Sequence, residues 1–338
     1  MKKLYLEGLI EKDLQDAVVV MGKFNALHIG HNKLITEGRK EATKLGKPLC
    51  VLTFNPGPDE FFSEGYAENE KAIMLANFEQ RSKLFEKMDV DAVVFIKFDL
   101  PFSKLSPEEF VKDYLADKMK ISHLLTGDDF RFAHKRMGTV QDMKDLSGKY
   151  GFEYSALEQV LDEEKAERSS STTIRTLLLT GNVKKAGKLL GRKFAIAGTV
   201  QEGHKLAGPV LGYPTANIDT GSYAPMKNGA YYCLVEIDGA IHDAACNYGV
   251  KPTLETNETK PLLEVHILNY NGNLYGKEIS VEFCEFIREE MKFEDPNKFD
   301  KLRAQIEKDI EWVNKYKESM TKEKYTGTTT KLEGVLER

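Results

Sequence analysis

The sequence predicts an α/β plus β architecture: an N-terminal domain built on a parallel sheet, then a small antiparallel Greek-key-type β-barrel with a terminal helix. Three observations carry it. From residue 17 to about 160, short apolar runs alternate with helical patterns, and strands alternating with helices make parallel βαβ units. From Lys193 to Glu285 the pattern is all β, in short strands at close spacing, which a barrel closes without leaving edges exposed. The 338 residues suffice for two domains that each bury a core. The expected boundaries are 1–188 for the first domain and 189–320 for the second, with 321–338 a Thr-, Lys- and Glu-rich tail.

Charged residues make up 30% of the chain and hydrophobic residues 41%, with a formal net charge of −5. That balance fits an ordinary soluble protein and supplies no basic excess to neutralise a nucleic-acid backbone. The opening Met1-Lys2-Lys3-Leu4-Tyr5-Leu6-Glu7 lacks the apolar core of a signal peptide, and no later run approaches a membrane span. A cytoplasmic protein with no membrane partner is expected. Cys50, Cys233, Cys246 and Cys284 are far apart with no Cys-x-x-Cys pair, and read as small core residues in a reducing compartment. No pattern speaks to the oligomeric state.

The candidate strands of the first half are 17–22, 48–54, 91–97, 123–126 and 152–156, with amphipathic stretches at 71–88 and 107–118 between them. Ala17-Val18-Val19-Val20-Met21 is the unbroken apolar run of a buried parallel strand. It passes into Gly22-Lys23-Phe24-Asn25-Ala26-Leu27-His28-Ile29-Gly30-His31, after which Leu34, Ile35, Gly38 and Ala42 recur at helical spacing. Gly30 and His31 therefore belong near a helix N-terminus, where free N–H groups and the helix dipole favour phosphate. His28 and His31 are three residues apart, close enough to aim both imidazoles at one anion. The plainer reading is one capping and one buried histidine; the glycines and the strand–loop–helix context favour a nucleotide site.

Ligands of parallel sheets lie at the carboxyl ends of the strands, and three more clusters fall there. Thr53-Phe54-Asn55-Pro56-Gly57-Pro58 follows the second candidate strand, its prolines fixing a rigid loop. Gly127-Asp128-Asp129-Phe130-Arg131-Phe132, then His134, Lys135 and Arg136, brings aromatics and cations suited to a flat ring and a phosphate; taken alone it is equally a solvated charge cluster. Ser170, Ser171 and Arg175 place hydroxyls and a cation at the start of a helix expected to reach Leu179, useful for a triphosphate, although Ser-Ser-Thr is also simply a good cap. After the Gly181-Asn182 break a second short helix is expected over 183–190.

The second half is expected to hold strands at 194–200, 230–237, 241–247, 262–268 and 279–286, with Asp238-Gly239 as a hairpin turn. A final helix over 296–315 carries Phe299, Leu302, Ile306, Ile310 and Val313 on one face, which packs on the barrel. Gly198, Gly203, Gly208 and Gly212 lead into Tyr213-Pro214-Thr215-Ala216-Asn217. Glycines let backbone amides approach a phosphate, and the Thr215 hydroxyl and Asn217 carbonyl are hard oxygen ligands suited to Mg²⁺ beside a nucleotide; the ordinary reading is a Pro-containing turn with an Asn cap. Glu264 lies in an apolar strand on one face with His266 and Leu268. A carboxylate is costly to bury without a task, so Glu264 is a candidate general base, the alternative being an outward-facing strand glutamate.

The G-x-F-x-x-x-H-x-G-H, T-F-x-P-x-P, G-x-D-F-R-F and S-S-T-x-I-R runs resemble, in this order, the adenylyltransferase domain of bacterial bifunctional riboflavin kinase/FMN adenylyltransferases, or FAD synthetases, whose fold is a Rossmann-like nucleotidyltransferase domain. Pro214-Thr215-Ala216-Asn217, the segments 247–253, 263–268, 273–277 and 286–293, and the linker Leu189-Leu190-Gly191-Arg192 resemble the flavokinase half of the same family, so that the likeness spans roughly residues 17–312. The resemblance implies that His28 and His31 bind ATP phosphates and stabilise the departing pyrophosphate, that Gly22, Phe24, Asn25 and Gly30 share their nucleotide loop, and that Ser170, Ser171 and Arg175 complete the phosphate site. It places Asp129 and Phe130 near the flavin and the reacting phosphates. In the barrel it implies Glu264 as the base that takes the proton of the riboflavin 5′-hydroxyl, Thr215 and Asn217 on Mg²⁺, Gly203, Gly208 and Gly212 along the phosphates, and Arg288 by the flavin.

The family pattern has Asp-Gly where this chain has Asn25-Ala26, His where it has Gly57, Gly where it has Ala133, and Arg or Lys where it has Pro209. Asn25 keeps an acceptor without the charge and Gly57 removes an imidazole, so adenylyl transfer is expected to be tuned differently from the family at large; Lys205 is a substitute cation for the one missing at Pro209. The expected function is FAD synthesis in two ATP- and Mg²⁺-dependent steps, riboflavin to FMN in the barrel and FMN to FAD with release of pyrophosphate in the α/β domain. The competing readings are a monofunctional riboflavin kinase with an impaired first domain, suggested by Asn25, Ala26 and Gly57; a flavin-binding regulator without turnover; and a cytidylyl- or pantetheine-type transferase, which leaves the barrel unexplained.

Overall fold

The computed structural model describes residues 1–63, 74–158, 169–201, 213–221, 223–252, 259–291 and 298–325. The chain divides into two compact units: Met1–Leu177 with Lys185–Arg192 and Ser222–Ala224 in the first, and the remainder in the second. The expected boundary at 188/189 falls inside the run Lys185–Arg192 that packs with the first unit.

In the first unit six strands, β1 (Lys2–Tyr5), β2 (Val18–Met21), β3 (Leu49–Phe54), β4 (Ala92–Ile96), β5 (His123–Gly127) and β6 (Glu153–Leu157), form one sheet in the order β1-β4-β3-β2-β5-β6, every pair parallel. Strands β2 to β5 are buried almost throughout, as their unbroken apolar runs require. Period-two alternation sends Val18, Val20, Leu49, Val51 and Val93 to one face, where Leu34, Ile35 and Ala42 of helix α1 (Ile29–Leu45) and Phe85 of α3 (Phe78–Lys87) cover them; α2 (Pro58–Ser63) lies between β3 and α3 in the chain. Val19, Met21, Cys50, Leu52 and Val94 face the other side, against Phe110, Val111, Leu115 and Met143. At Gly38 a Cβ would stand 2.4 Å from Val20 Cγ2, so the close approach of α1 to β2 requires glycine there.

Several local expectations are corrected. The opening residues form an edge strand, β1, because backbone pairing with β4 does not need an apolar side-chain pattern and three of its four residues are exposed. The Pro56–Pro58 segment is not loop alone but runs into α2. The amphipathic stretch 71–88 is helical only from Phe78, where Asn77 and Gln80 form a capping box; residues 71–73 lie outside the described residues. The stretch 107–118 starts as a short α-turn, α4 (Pro107–Glu109), and continues as a π-helix over Phe110–Lys118. Helix α5 (Val140–Tyr150) follows; α6 (Ser171–Leu179) and α7 (Val183–Leu190) lie where expected.

The second unit is a closed barrel of β7 (Ala195–Gln201), β8 (Ala216–Asp219), β9 (Gly229–Ile237), β10 (Ala240–Pro252), β11 (Thr259–Ile267) and β12 (Glu278–Glu289), in the order β10-β11-β8-β7-β12-β9 with antiparallel pairs. Strand β8 is a correction: its Ala216-Asn217 was expected in a loop. Asp238 and Gly239 take φ of 50° and 81° in the β9–β10 hairpin, as a tight turn between twisted strands demands. Helix α8 (Lys298–Tyr325) packs on the barrel and outruns the expected 296–315, so the expected tail begins inside it; residues 326–338 lie outside the described residues. All four cysteines are free thiols.

Candidate active sites

The strand order of the first unit reverses between β2 and β5, and at such a switch point the loops leave a crevice beyond the carboxyl ends of the strands. The segments 22–31 and 127–132 both start there. Gly22 leaves β2 with its N–H donating to the Leu52 carbonyl, and Phe24 and Leu27 adopt left-handed backbone, φ 49° and 44°. Phe24 is fully buried against Phe85 and the His31 ring, so its side chain anchors the loop. His28 caps α1, its Nδ1 accepting from the His31 N–H at 3.4 Å, and Gly30 stands in the first turn. The two imidazoles stack, with centroids 3.8 Å apart and planes 17° from parallel.

Burial, then the nearby Arg192 cation, hold His28 down to about 4, against the opposing pull of Asp129. Burial, His28 and Arg192 push His31 well below the ordinary histidine value, and its enclosed Nδ1 has no hydrogen-bond partner among the described residues. Both rings are therefore neutral at physiological pH. Around them, Lys23 pairs with Asp59 at 2.7 Å and Asn25 donates to the same carboxylate at 3.3 Å, so a carboxylate stands beside position 25 although residue 25 is itself an amide. Asp59 also acts on Arg175, whose own burial lowers its pKa. Ser170 caps α6 by accepting from the Thr173 N–H, Ser171 opens that helix, and Arg175 lies one turn on. The exposed Asp129 follows β5, and Phe130 stacks on Phe132 at 5.4 Å.

In the barrel, register does the assembling. Arg288 of β12 pairs with Ala230 of β9, which pairs with Asn247 of β10; Asn247 pairs with Glu264 of β11, and Glu264 with Asn217 of β8. These five residues form one lateral row. Leu263, Val265 and Ile267 fill the interior, so Glu264 and His266 face outward, half-buried. The Asn247 amide donates to Glu264 Oε2 at 3.5 Å, and His266 Nδ1 is 2.9 Å from the Pro214 carbonyl. Arg288 forks onto Asp309 of α8 at 2.9 and 2.7 Å, which holds its guanidinium under the helix. Thr215 lies on the wall of a cavity of about 310 Å³ that Pro214, Ala216, Tyr270, Asn273 and Leu274 also line. Gly203, Gly208 and Gly212, with Lys205 and Pro209, lie outside the described residues.

Arg192, Asp59 and Asn247 escape sequence reasoning as site residues. Arg192 and Asn247 fall within runs quoted for the family resemblance, but what marks them is a spatial partner: two loop carbonyls for Arg192, Glu264 for Asn247. Asp59 carries no local signal at all.

A parallel-sheet unit with paired imidazoles at a helix N-terminus, joined to a barrel with a carboxylate in a row of amides, defines a two-site transferase of the nucleotide-using kind. Residues 10–173 match the FAD synthetase family and residues 190–317 match riboflavin kinase. A bifunctional riboflavin kinase/FMN adenylyltransferase of Buchnera aphidicola from Schizaphis graminum is 36% identical over 91% of this chain and 96% of its own length; that of Bacillus subtilis is 32% identical over 93% and 96%. A crystal structure described as a macrolide-efflux protein from Streptococcus pneumoniae superposes with a TM-score of 0.80 at 28% identity, covering 93% of this chain and 99% of that one. The chain belongs to the bifunctional riboflavin kinase/FMN adenylyltransferase family, and with both halves matched the bifunctional reading is favoured over a lone kinase.

Proposed function

We propose that the barrel transfers the γ-phosphoryl group of ATP to the riboflavin 5′-hydroxyl with Glu264 as general base, and that the α/β unit joins the FMN phosphate to the α-phosphorus of a second ATP, expelling pyrophosphate beside His28 and His31. The row Arg288–Ala230–Asn247–Glu264–Asn217 carries the first assignment. The Asn247 amide donates to one carboxylate oxygen and so orients Glu264 as the acceptor of the substrate proton. The Thr215 hydroxyl and the Asn217 carbonyl are hard oxygen ligands, which fits Mg²⁺, and the ion would supply charge neutralisation at the phosphates. No trio of His, Cys, Asp or Glu among the described residues forms a cage, in keeping with an ion held largely by substrate phosphates.

For the second assignment, neutral imidazoles offer N–H groups to a phosphate without a countercharge to desolvate, while Arg175, Lys23 and the α1 N-terminus supply positive potential as charge builds on the pyrophosphate. Ser170 and Ser171 add hydroxyls at the α6 start, Asp129 and Phe130 border the FMN end, and Arg288 lies beside riboflavin in the barrel. A cytoplasmic location is proposed from this biosynthetic role and the free thiols; among the described residues no helix is long and apolar enough to cross a membrane.

Two separate assays of the full chain test the reading, riboflavin plus ATP giving FMN and FMN plus ATP giving FAD and pyrophosphate. Glu264→Gln is expected to lower the first on the order of 100-fold or more and leave the second mostly intact. His28→Ala is expected to do the reverse. Joint loss of both activities in either variant contradicts separate sites.

A further inference from the structure

We infer that Arg192 is a positioning residue of the adenylyl-transfer site: its buried guanidinium clamps the loop that carries the two histidines and sets a fixed positive charge behind their rings. Arg192 lies only three residues before β7, yet its side chain belongs to the first unit. Its Nη1 donates to the Leu27 carbonyl at 2.7 Å and to Leu190 at 3.3 Å, and its Nη2 donates to the Ala26 carbonyl at 2.7 Å. Ala26 and Leu27 are fully buried, so their carbonyls need partners inside the protein. The fork supplies both at once, immediately before His28 and at a residue, Leu27, held in left-handed backbone. Lysine carries its three donors on one nitrogen and lacks the rigid fork that lets two separate nitrogens meet the two carbonyls.

The delivery of Arg192 is equally specific. Its N–H caps α7 by donating to the Gly187 carbonyl at 3.2 Å, and Gly191, at φ 70°, lets the chain pass Ile29 and Asn32 of α1, where a Cβ would meet both at 3.2 Å. The charged groups acting on the imidazole pair are Arg192 from the end of α7 on both rings, Asp129 from the loop after β5 on His28, and His28 on His31. Burial takes Arg192 itself to about 10, so it stays a cation wherever the enzyme works. With the guanidinium present, protonation of either ring puts two buried positive charges side by side, which keeps the rings neutral.

The inference rests on the assignment of His28 and His31 to adenylyl transfer, and the test separates the two. FMN-to-FAD turnover is measured on the full chain from about pH 4.5 to 8.5 for the unaltered protein, Arg192→Lys and Arg192→Met, with riboflavin phosphorylation as an internal control. Arg192→Met is expected to lower kcat for FAD formation on the order of 100-fold and to move its acidic limb upward, because the imidazoles then protonate more readily. Arg192→Lys keeps the charge but loses the fork, so its kcat falls while its acidic limb stays low. FMN formation stays within about twofold in both, since neither the fork nor its charge touches the barrel row. A purely structural role lowers the active fraction and leaves the shape of the pH profile unchanged. An Arg192→Met profile that superimposes on that of the unaltered protein after scaling, or full kcat in Arg192→Lys, overturns the inference. Should Arg192→Met not fold, Arg192→Lys and the imidazole titration of the unaltered protein by NMR decide, and rings titrating near 6.5 overturn it. His28→Ala with undiminished FAD formation instead refutes the site assignment.

Discussion

The two candidate sites are built by opposite constructions. In the α/β unit the paired imidazoles come from a contiguous loop, and their placement depends on backbone: left-handed turns at Phe24 and Leu27, a capped helix, and carbonyls tied down at Ala26 and Leu27. In the barrel the row is a side-chain arrangement drawn from five strands, and its placement depends on register, with register shifts between Phe283 and Glu285 and between Phe286 and Arg288 setting Arg288 opposite Ala230. The first site is electrostatically a buried cation behind neutral rings, the second a half-buried carboxylate flanked by amides. A loop site of this kind is vulnerable to protons and to backbone strain. A register site is vulnerable to whatever changes the partner of its carboxylate.

Acid should discriminate most strongly. His28 titrates near 6.5 unfolded and about 4 folded, so between those values the unfolded chain binds more protons and stability falls as pH falls. Stability is undiminished by this group above 6.5, the loss attributable to His28 alone reaches about 3 kcal/mol by pH 4, and His28→Asn should flatten the dependence of calorimetric unfolding on pH. An unchanged slope in that variant removes the claim. Next in size is Asn247→Asp, which sets a second carboxylate against Glu264. Like charges raise the pKa of the pair, so FMN formation near pH 6 should drop about tenfold, roughly 1.4 kcal/mol, and recover at alkaline pH while FAD formation keeps its profile. A uniform drop at every pH would mean that Asn247 serves packing rather than the base. The smallest effect concerns Ala133, at φ 63° and ψ −168°, a conformation suited to glycine and the one the family's glycine would accept freely. Ala133→Gly should raise unfolding stability by about 1 kcal/mol, the strain relieved exceeding the entropy gained by the unfolded chain.

These differences also explain what was legible in the sequence. His28 and His31 could be found because their relation is local, three residues across a helix start, and the apolar run before them fixes the strand. Alternation assigns Glu264 the face opposite Leu263 and Val265, and that face is the outward one, so the cost of burial that marked Glu264 in the sequence does not apply and its role as base is a proposal. Asn247 appears only once β10 is laid against β11, and nothing within either strand announces that register. Strand β8 stayed hidden because Pro-Thr-Ala-Asn has turn composition, and β1 because an exposed edge leaves no apolar pattern. Arg192 follows Leu-Leu-Gly and looks like a linker cation; its task depends on carbonyls some 165 residues earlier in the chain.

That last separation bears on how the protein can be divided. The FAD synthetase match ends at residue 173, whereas the clamp on the histidine loop arrives at 192, after the rest of α6 and the whole of α7 and on the doorstep of the kinase half. A gene fragment cut at the edge of the recognised sequence pattern would carry both imidazoles and leave behind the residue that holds their loop. The unit that can be inherited, swapped or expressed as an adenylyltransferase therefore extends at least through Arg192, and recombination between family members should be tolerated beyond that residue better than before it.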